Sequence, residues 1–192
     1  MIQKILMFSL ALSASLPNAV RAYTPTTLEI GAVAPDFDLP GVDGKRYSLA
    51  DFKDERLLVV IFTCNHCPDA IASYGRMNQA VEDYRSRGVG FVAISGNDNA
   101  GLRLAEMRWT VEDDGYEAMK IVAKREGFKL PYLFDGDTQK TTKDYGAVAT
   151  PHVFIFDRAR KLRYTGRLDD GRRNPGPANK SEARDALDAL LA

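Results

Sequence analysis

The chain has 192 residues, 45% of them apolar and 27% charged, the proportions of an ordinary globular domain. Its 26 basic residues balance 26 acidic ones. Nothing in that balance argues for nucleic acid or an anionic membrane surface as a partner.

The N-terminus differs from the rest. Lys4 precedes an apolar run from Ile5 to Leu16, and a short stretch then ends in Val20-Arg21-Ala22. This is the pattern of a secretory signal with a small-residue cleavage site after Ala22. The run is too short for a comfortable membrane span, and an uncleaved N-terminal anchor is the alternative. Segment 1–22 carries Lys4 and Arg21 and no acid, so the remainder has a formal charge of −2. Residues 23–29 read as a linker and 30–192 as one domain with no stable membrane span. Export, to a periplasm or outside the cell, would let a disulfide persist.

Gly41-Val42-Asp43-Gly44 is a turn, and Ser48 is placed to cap a short turn after it. Leu57 to Phe62 is apolar on both faces, which predicts a central strand. A helix is expected from about Asp69 to Arg87. Its apolar stripe is Ile71, Tyr74, Met77, Val81 and Tyr84, and Gly88 stops it. Val89 to Ser95 is a second buried strand. Gly96 to Gly115 is polar and irregular, and in it Trp109 is expected to pack under a loop. The acidic run Glu112-Asp113-Asp114 favours the start of the next helix, expected over Tyr116 to Arg125 with Gly127 after it. A short helix follows over Thr138 to Tyr145. Strands are expected over Val153 to Phe156 and Lys161 to Arg167, joined by a hairpin turn at Asp157 to Arg160. The basic cluster Arg158, Arg160, Lys161 and Arg163 reads as a solvated, aggregation-blocking edge. Asp170 to Asn179 reads as a flexible loop. Ser181 caps a final amphipathic helix that turns Ala183, Leu187, Leu190 and Leu191 inward. Alternating strands and helices, then a hairpin and a helix, predict an α/β fold with a central mixed β-sheet flanked by helices.

The two cysteines of the chain lie in Cys64-Asn65-His66-Cys67-Pro68, between the first apolar strand and the first long helix. A helix start supplies free N–H groups and partial positive charge, both of which favour a thiolate. A cysteine pair delivered there is a redox device, with Cys64 expected as the low-pKa attacking thiol and Cys67, more buried, as the resolving one. A structural disulfide is disfavoured, because so short a loop yields little entropic stabilisation.

Several segments together resemble the redoxins, the alkyl hydroperoxide reductase/thiol-specific antioxidant group. They are Ala34-Pro35-Asp36-Phe37, Asp43-Gly44-Lys45, Phe62 to Pro68, Leu130 to Asp135, Tyr145-Gly146, Ala149-Thr150-Pro151 and Tyr164 to Asp170. More narrowly, the chain is similar to the peroxiredoxin-like branch with a CNHCP motif. The resemblance implies a thioredoxin-like fold, no cofactor, and thiol–disulfide exchange with a disulfide- or thiol-bearing protein substrate and a separate redox partner. It also implies a cis bond at Pro151, which presents Thr150 beside Cys64 to an extended substrate. His66 precedes Cys67 as a histidine does in protein disulfide isomerase, where it can stabilise a thiolate.

Two other activities stand beside exchange. The peroxidatic pattern of the group sets Thr or Ser three residues before the reactive cysteine. Cys64 itself is three before Cys67, and Ile61 three before Cys64, so exchange ranks above peroxide reduction. Some exported thioredoxin-fold proteins bind copper through two cysteines and a distant histidine, and Cys64, Cys67 and His152 offer soft and imidazole ligands of that kind. Their cysteines normally stand three residues apart instead of two, which ranks this reading last.

Overall fold

The structure, a computed structural model, describes residues 25–98, 102, 104–136 and 138–192. The expected signal segment, residues 1–22, lies outside them. Among the described residues no helix is long and apolar enough to cross a membrane.

The elements are β1 (Asp38–Pro40), β2 (Arg46–Ser48), β3 (Leu57–Thr63), α1 (Pro68–Arg85), β4 (Val89–Ser95), α2 (Tyr116–Arg125), β5 (Tyr132–Phe134), α3 (Lys140–Tyr145), β6 (His152–Phe156), β7 (Leu162–Gly166) and α4 (Glu182–Leu191). The main sheet has the order β5-β4-β3-β6-β7. β3 runs parallel to β4 and antiparallel to β6. All seven residues of β3 are buried, which explains why it reads as a continuous apolar run.

The pleat of β3 sends alternate side chains into two separate cores. Leu57, Val59 and Ile61 pack with Tyr74, Met77 and Val81 of α1, Met119 and Val122 of α2, and Ala183 and Leu187 of α4. Leu58, Val60 and Phe62 pack on the other face with Phe37, Phe52, Tyr145, Phe154 and Phe156. There Phe62 meets the Tyr145 and Phe154 rings, with centroids 5.4 and 5.7 Å away. A sheet buried on both faces fixes the end of β3, and with it the position of Cys64.

The helix and strand assignments from the sequence agree with the structure to within two residues at most ends. The small β1–β2 hairpin around the expected turn and the three-residue β5 were not anticipated. Three local expectations are corrected. Trp109 is 57% exposed, with the Arg173 guanidinium over its ring, because its segment lies on the surface. Arg160 is not a solvated edge residue: its guanidinium donates to the carbonyls of Phe52, Glu55 and Asp157. The segment expected to be a flexible loop is tied down. The Asp170 carboxylate accepts the N–H groups of Asn179 and Lys180, and Arg76 donates to the carbonyls of Asn174 and Gly176.

Candidate functional site

β3 ends at Thr63 and α1 begins at Pro68, so Cys67 is the N-cap of α1. The extended Cys67 backbone and Pro68 at the first helical position suit such a start. Cys64 lies one step beyond the strand, within the sheet's own core. It has no exposed surface, whereas Cys67 is partly exposed, and both are free thiols. This reverses the order of burial expected from the sequence. The cause is the length of β3, which carries Cys64 inward and leaves Cys67 to cap the helix.

The segment between the thiols is clamped on every side. Tyr74 donates its hydroxyl to the Cys64 carbonyl at 2.6 Å. Asn65, also buried, donates its side-chain amide to the Asp113 carbonyl at 2.6 Å and accepts the Tyr132 hydroxyl at 3.1 Å. The peptide bond between Thr150 and Pro151 is cis, as the resemblance implied. Thr150 faces both cysteines. Its hydroxyl oxygen lies 3.2 Å from Cys64 Sγ and its carbonyl oxygen 3.3 Å from Cys67 Sγ.

The electrostatics divide the pair. The Cys64 thiol donates to the Cys67 sulfur, and the backbone N–H groups of Ala70 and Asp69 add to this, holding the Cys67 pKa down at about 5. Cys64 moves the opposite way: serving as donor to Cys67, buried, and near the Asp114 carboxylate, its thiol is held well above the ordinary range. The pair is biased toward a thiolate on Cys67 and a neutral thiol on Cys64. The Cys67 thiolate contributes stability to the reduced protein that is complete above the ordinary thiol range and is lost as pH falls through about 5.

A cleft of about 660 Å³ opens on this face, lined by Phe62, His66, Cys67, Leu102, Lys143 and Thr150 among others. Cys67 lines it and Cys64 does not. A solute entering the cleft meets Cys67, the more acidic sulfur.

Asp114 is the site residue that the sequence did not indicate. The run Glu112-Asp113-Asp114 was expected to serve the start of α2, yet Asp114 is fully buried and turned to the cysteine loop. It accepts the Asn65 backbone N–H at 2.7 Å and the Asn97 side-chain amide at 2.8 Å, and it lies 2.6 Å from His66 Nδ1. Separations of 49 residues from Asn65 and 48 from His66 leave no local signal.

His152, considered above as a copper ligand, is engaged elsewhere. Its Nδ1 accepts the Val148 N–H at 3.2 Å and its Nε2 meets the Thr165 hydroxyl at 3.1 Å, while burial pushes its pKa down. Among the described residues, Cys64, His66 and Asp114 bring side-chain atoms within 4.8 Å of one another, and His152 is not among them.

Two thiols of opposed acidity at the end of a central strand, facing a cis-proline loop, make this a dithiol protein on a thioredoxin-like fold, an architecture shared with solved thiol–disulfide oxidoreductase domains. The chain belongs to the Redoxin family, whose profile matches residues 29–187. A crystal structure of an uncharacterized conserved protein from Geobacillus kaustophilus is 40% identical, covers 87% of this chain and 84% of its own, and has a TM-score of 0.75. Peroxiredoxin Q, chloroplastic, of Suaeda salsa is 25% identical over 74% of this chain. The match spans 61% of that relative, less than two thirds of its length. Thiol-disulfide oxidoreductase ResA of Bacillus thuringiensis is 26% identical over 70% of this chain and 68% of its own. These relatives carry the names of a peroxiredoxin and of a thiol-disulfide oxidoreductase.

Proposed function

We propose that the protein is an exported thiol–disulfide oxidoreductase whose Cys64–Cys67 pair exchanges with a disulfide on a protein substrate. The observation that carries this reading is the division of the pair. An accessible thiolate at the tip of α1 touches a buried neutral thiol, the state a dithiol needs for a two-step exchange. Cys67 attacks the substrate disulfide, forming a mixed disulfide and releasing one substrate thiolate. Cys64 then attacks Cys67, the Cys64–Cys67 bond forms, and the second substrate sulfur leaves with the electron pair. Two electrons pass to the substrate, and the reverse sequence oxidises a dithiol. The edge of the Thr150 backbone lets an extended substrate segment lie along the cleft. Export rests on the N-terminal pattern of residues 1–22.

The name of the peroxiredoxin Q relatives makes peroxide reduction the second reading. The position that would orient a peroxide, three residues before Cys67, holds Cys64, a sulfhydryl that donates to Cys67 itself. Reduced protein should therefore reduce a protein disulfide in a coupled assay while its reaction with hydrogen peroxide stays as slow as that of a free thiolate. Rapid, saturable sulfenic acid formation on Cys67, with little disulfide exchange, would reverse the ranking.

A further inference from the structure

The exchange mechanism has a demand that the cysteines cannot meet themselves. Cys64 must attack as a thiolate, yet it is buried and its neighbours hold it neutral. Once Cys67 is bound to substrate, it is a disulfide sulfur and can no longer take the Cys64 proton. A base has to stand within reach.

The Thr150 hydroxyl is nearer to Cys64 Sγ, at 3.2 Å, but is no base, and the His66–Asp114 pair stands within the reach of one bridging water. A ring nitrogen of His66, a carboxylate oxygen of Asp114 and Cys64 Sγ all lie within 4.8 Å of one another. Asp114 fixes the imidazole through Nδ1 at 2.6 Å, while its other oxygen is held by the Asn65 N–H at 2.7 Å. Asp114 is fully buried and His66 side-chain exposure is 16%, so the dyad spans from the core to the cleft. We propose that His66, oriented by Asp114, takes the proton of the Cys64 thiol in the step that resolves the mixed disulfide. This deepens the exchange reading and rests on it.

The Cys64 S–H bond breaks and its proton goes to the imidazole. Cys64 sulfur bonds to Cys67 sulfur, the Cys67–substrate bond breaks, and the substrate sulfur departs as a thiolate. The imidazolium returns the proton to that thiolate or to water, and the cysteines are oxidised by two electrons. The buried Asp114 carboxylate stabilises the transient imidazolium, the role a carboxylate plays behind a histidine base.

Other titratable groups face the dyad. Cys67 and Asp69 lie on the α1 side, the latter 3.5 Å from Arg173. Asp98 follows β4, Asp113 precedes α2 and Lys143 comes from α3. Tyr74 and Tyr132 border Asp114, and burial pushes both hydroxyls up, so they stay protonated through the working range. None of these carboxylates is in the converging group with Cys64.

Reaction with dithionitrobenzoate separates the steps. Attack by Cys67 releases one coloured thiolate, resolution by Cys64 releases a second, and neither leaving group needs a proton. In His66→Gln and Asp114→Asn the second phase should slow by roughly 100-fold at neutral pH. The first phase should be largely retained. The gap to wild type should narrow in alkali, where hydroxide ionises Cys64 directly. In His66→Ala, added imidazole should restore the second phase in proportion to its concentration, which a purely structural role would not allow. An unchanged second phase in His66→Gln, or equal slowing of both phases at every pH, overturns the relay. A wild-type protein that releases a single equivalent overturns the exchange reading instead.

Discussion

Cys67→Ser abolishes mixed-disulfide formation, and Cys64→Ser traps the mixed disulfide on Cys67. The first substitution removes the sulfur that caps α1 and lines the cleft. The buried Cys64 that remains has no thiolate character to replace it, so the loss of exchange should be at least about 100-fold. The second leaves the attacking sulfur in place and deletes the resolving one. In wild type, alkylation should modify Cys67 first, with a rate that rises through about pH 5, while Cys64 resists until strongly alkaline conditions. Mass mapping of the alkylated peptide checks this. If Cys64 is alkylated first, or Cys64→Ser fails to trap a complex while Cys67→Ser does, the roles are reversed.

Arg76→Ala lowers stability by about 3 kcal/mol, near the lower end for breaking a buried ion pair. Arg76 makes a bidentate pair with Asp169, at 2.7 and 3.0 Å, and its side chain is only 14% exposed. Its third nitrogen donates to the carbonyls of Ala72, Asn174 and Gly176, joining α1 to the segment before α4. Deleting it leaves the Asp169 carboxylate, 8% exposed, without its cation. The melting temperature should fall by roughly 6–12 °C. Arg76→Lys should recover part of the loss, because a point charge cannot reproduce the fork. A loss under about 1 kcal/mol in denaturant unfolding would place the pair among screened surface contacts.

Arg76 and Asp169 also mark where the sequence ceased to be informative. The main sheet was legible because β3, β4 and β6 are buried on both faces, and a run such as Leu57 to Phe62 has few other places to go. Helix ends were legible because Gly88 and Gly146 adopt positive φ, at 79° and 61°, where a side chain is strained. β1, β2 and β5 escaped because three residues carry too little periodicity. The loop after Leu168 read as flexible from its Gly, Pro and Arg content, and what orders it is Arg76, some 93 residues away from Asp169.

The site divides the same way. Cys64, Cys67, His66, Thr150 and Pro151 announce themselves by motif, and the structure gathers all five around the tip of α1. Which cysteine is accessible depends on where β3 stops, a matter of one or two residues that periodicity does not resolve. Asp114 sits in an acidic run before a helix, a pattern that local electrostatics already accounts for. Its burial follows from the packing of the α2 approach on the cysteine loop, and no spacing rule reports that.

Equilibrating the protein in glutathione redox buffers and reading the cysteine state by alkylation and mass tests the account most directly. The expected result is one two-electron transition between the dithiol and an intramolecular Cys64–Cys67 disulfide. The Cys67 thiolate stabilises the reduced form, so the midpoint should lie above the roughly −270 mV of thioredoxin. A chain that stays a dithiol throughout, or that collects glutathione on Cys67 without forming the internal disulfide, would contradict it.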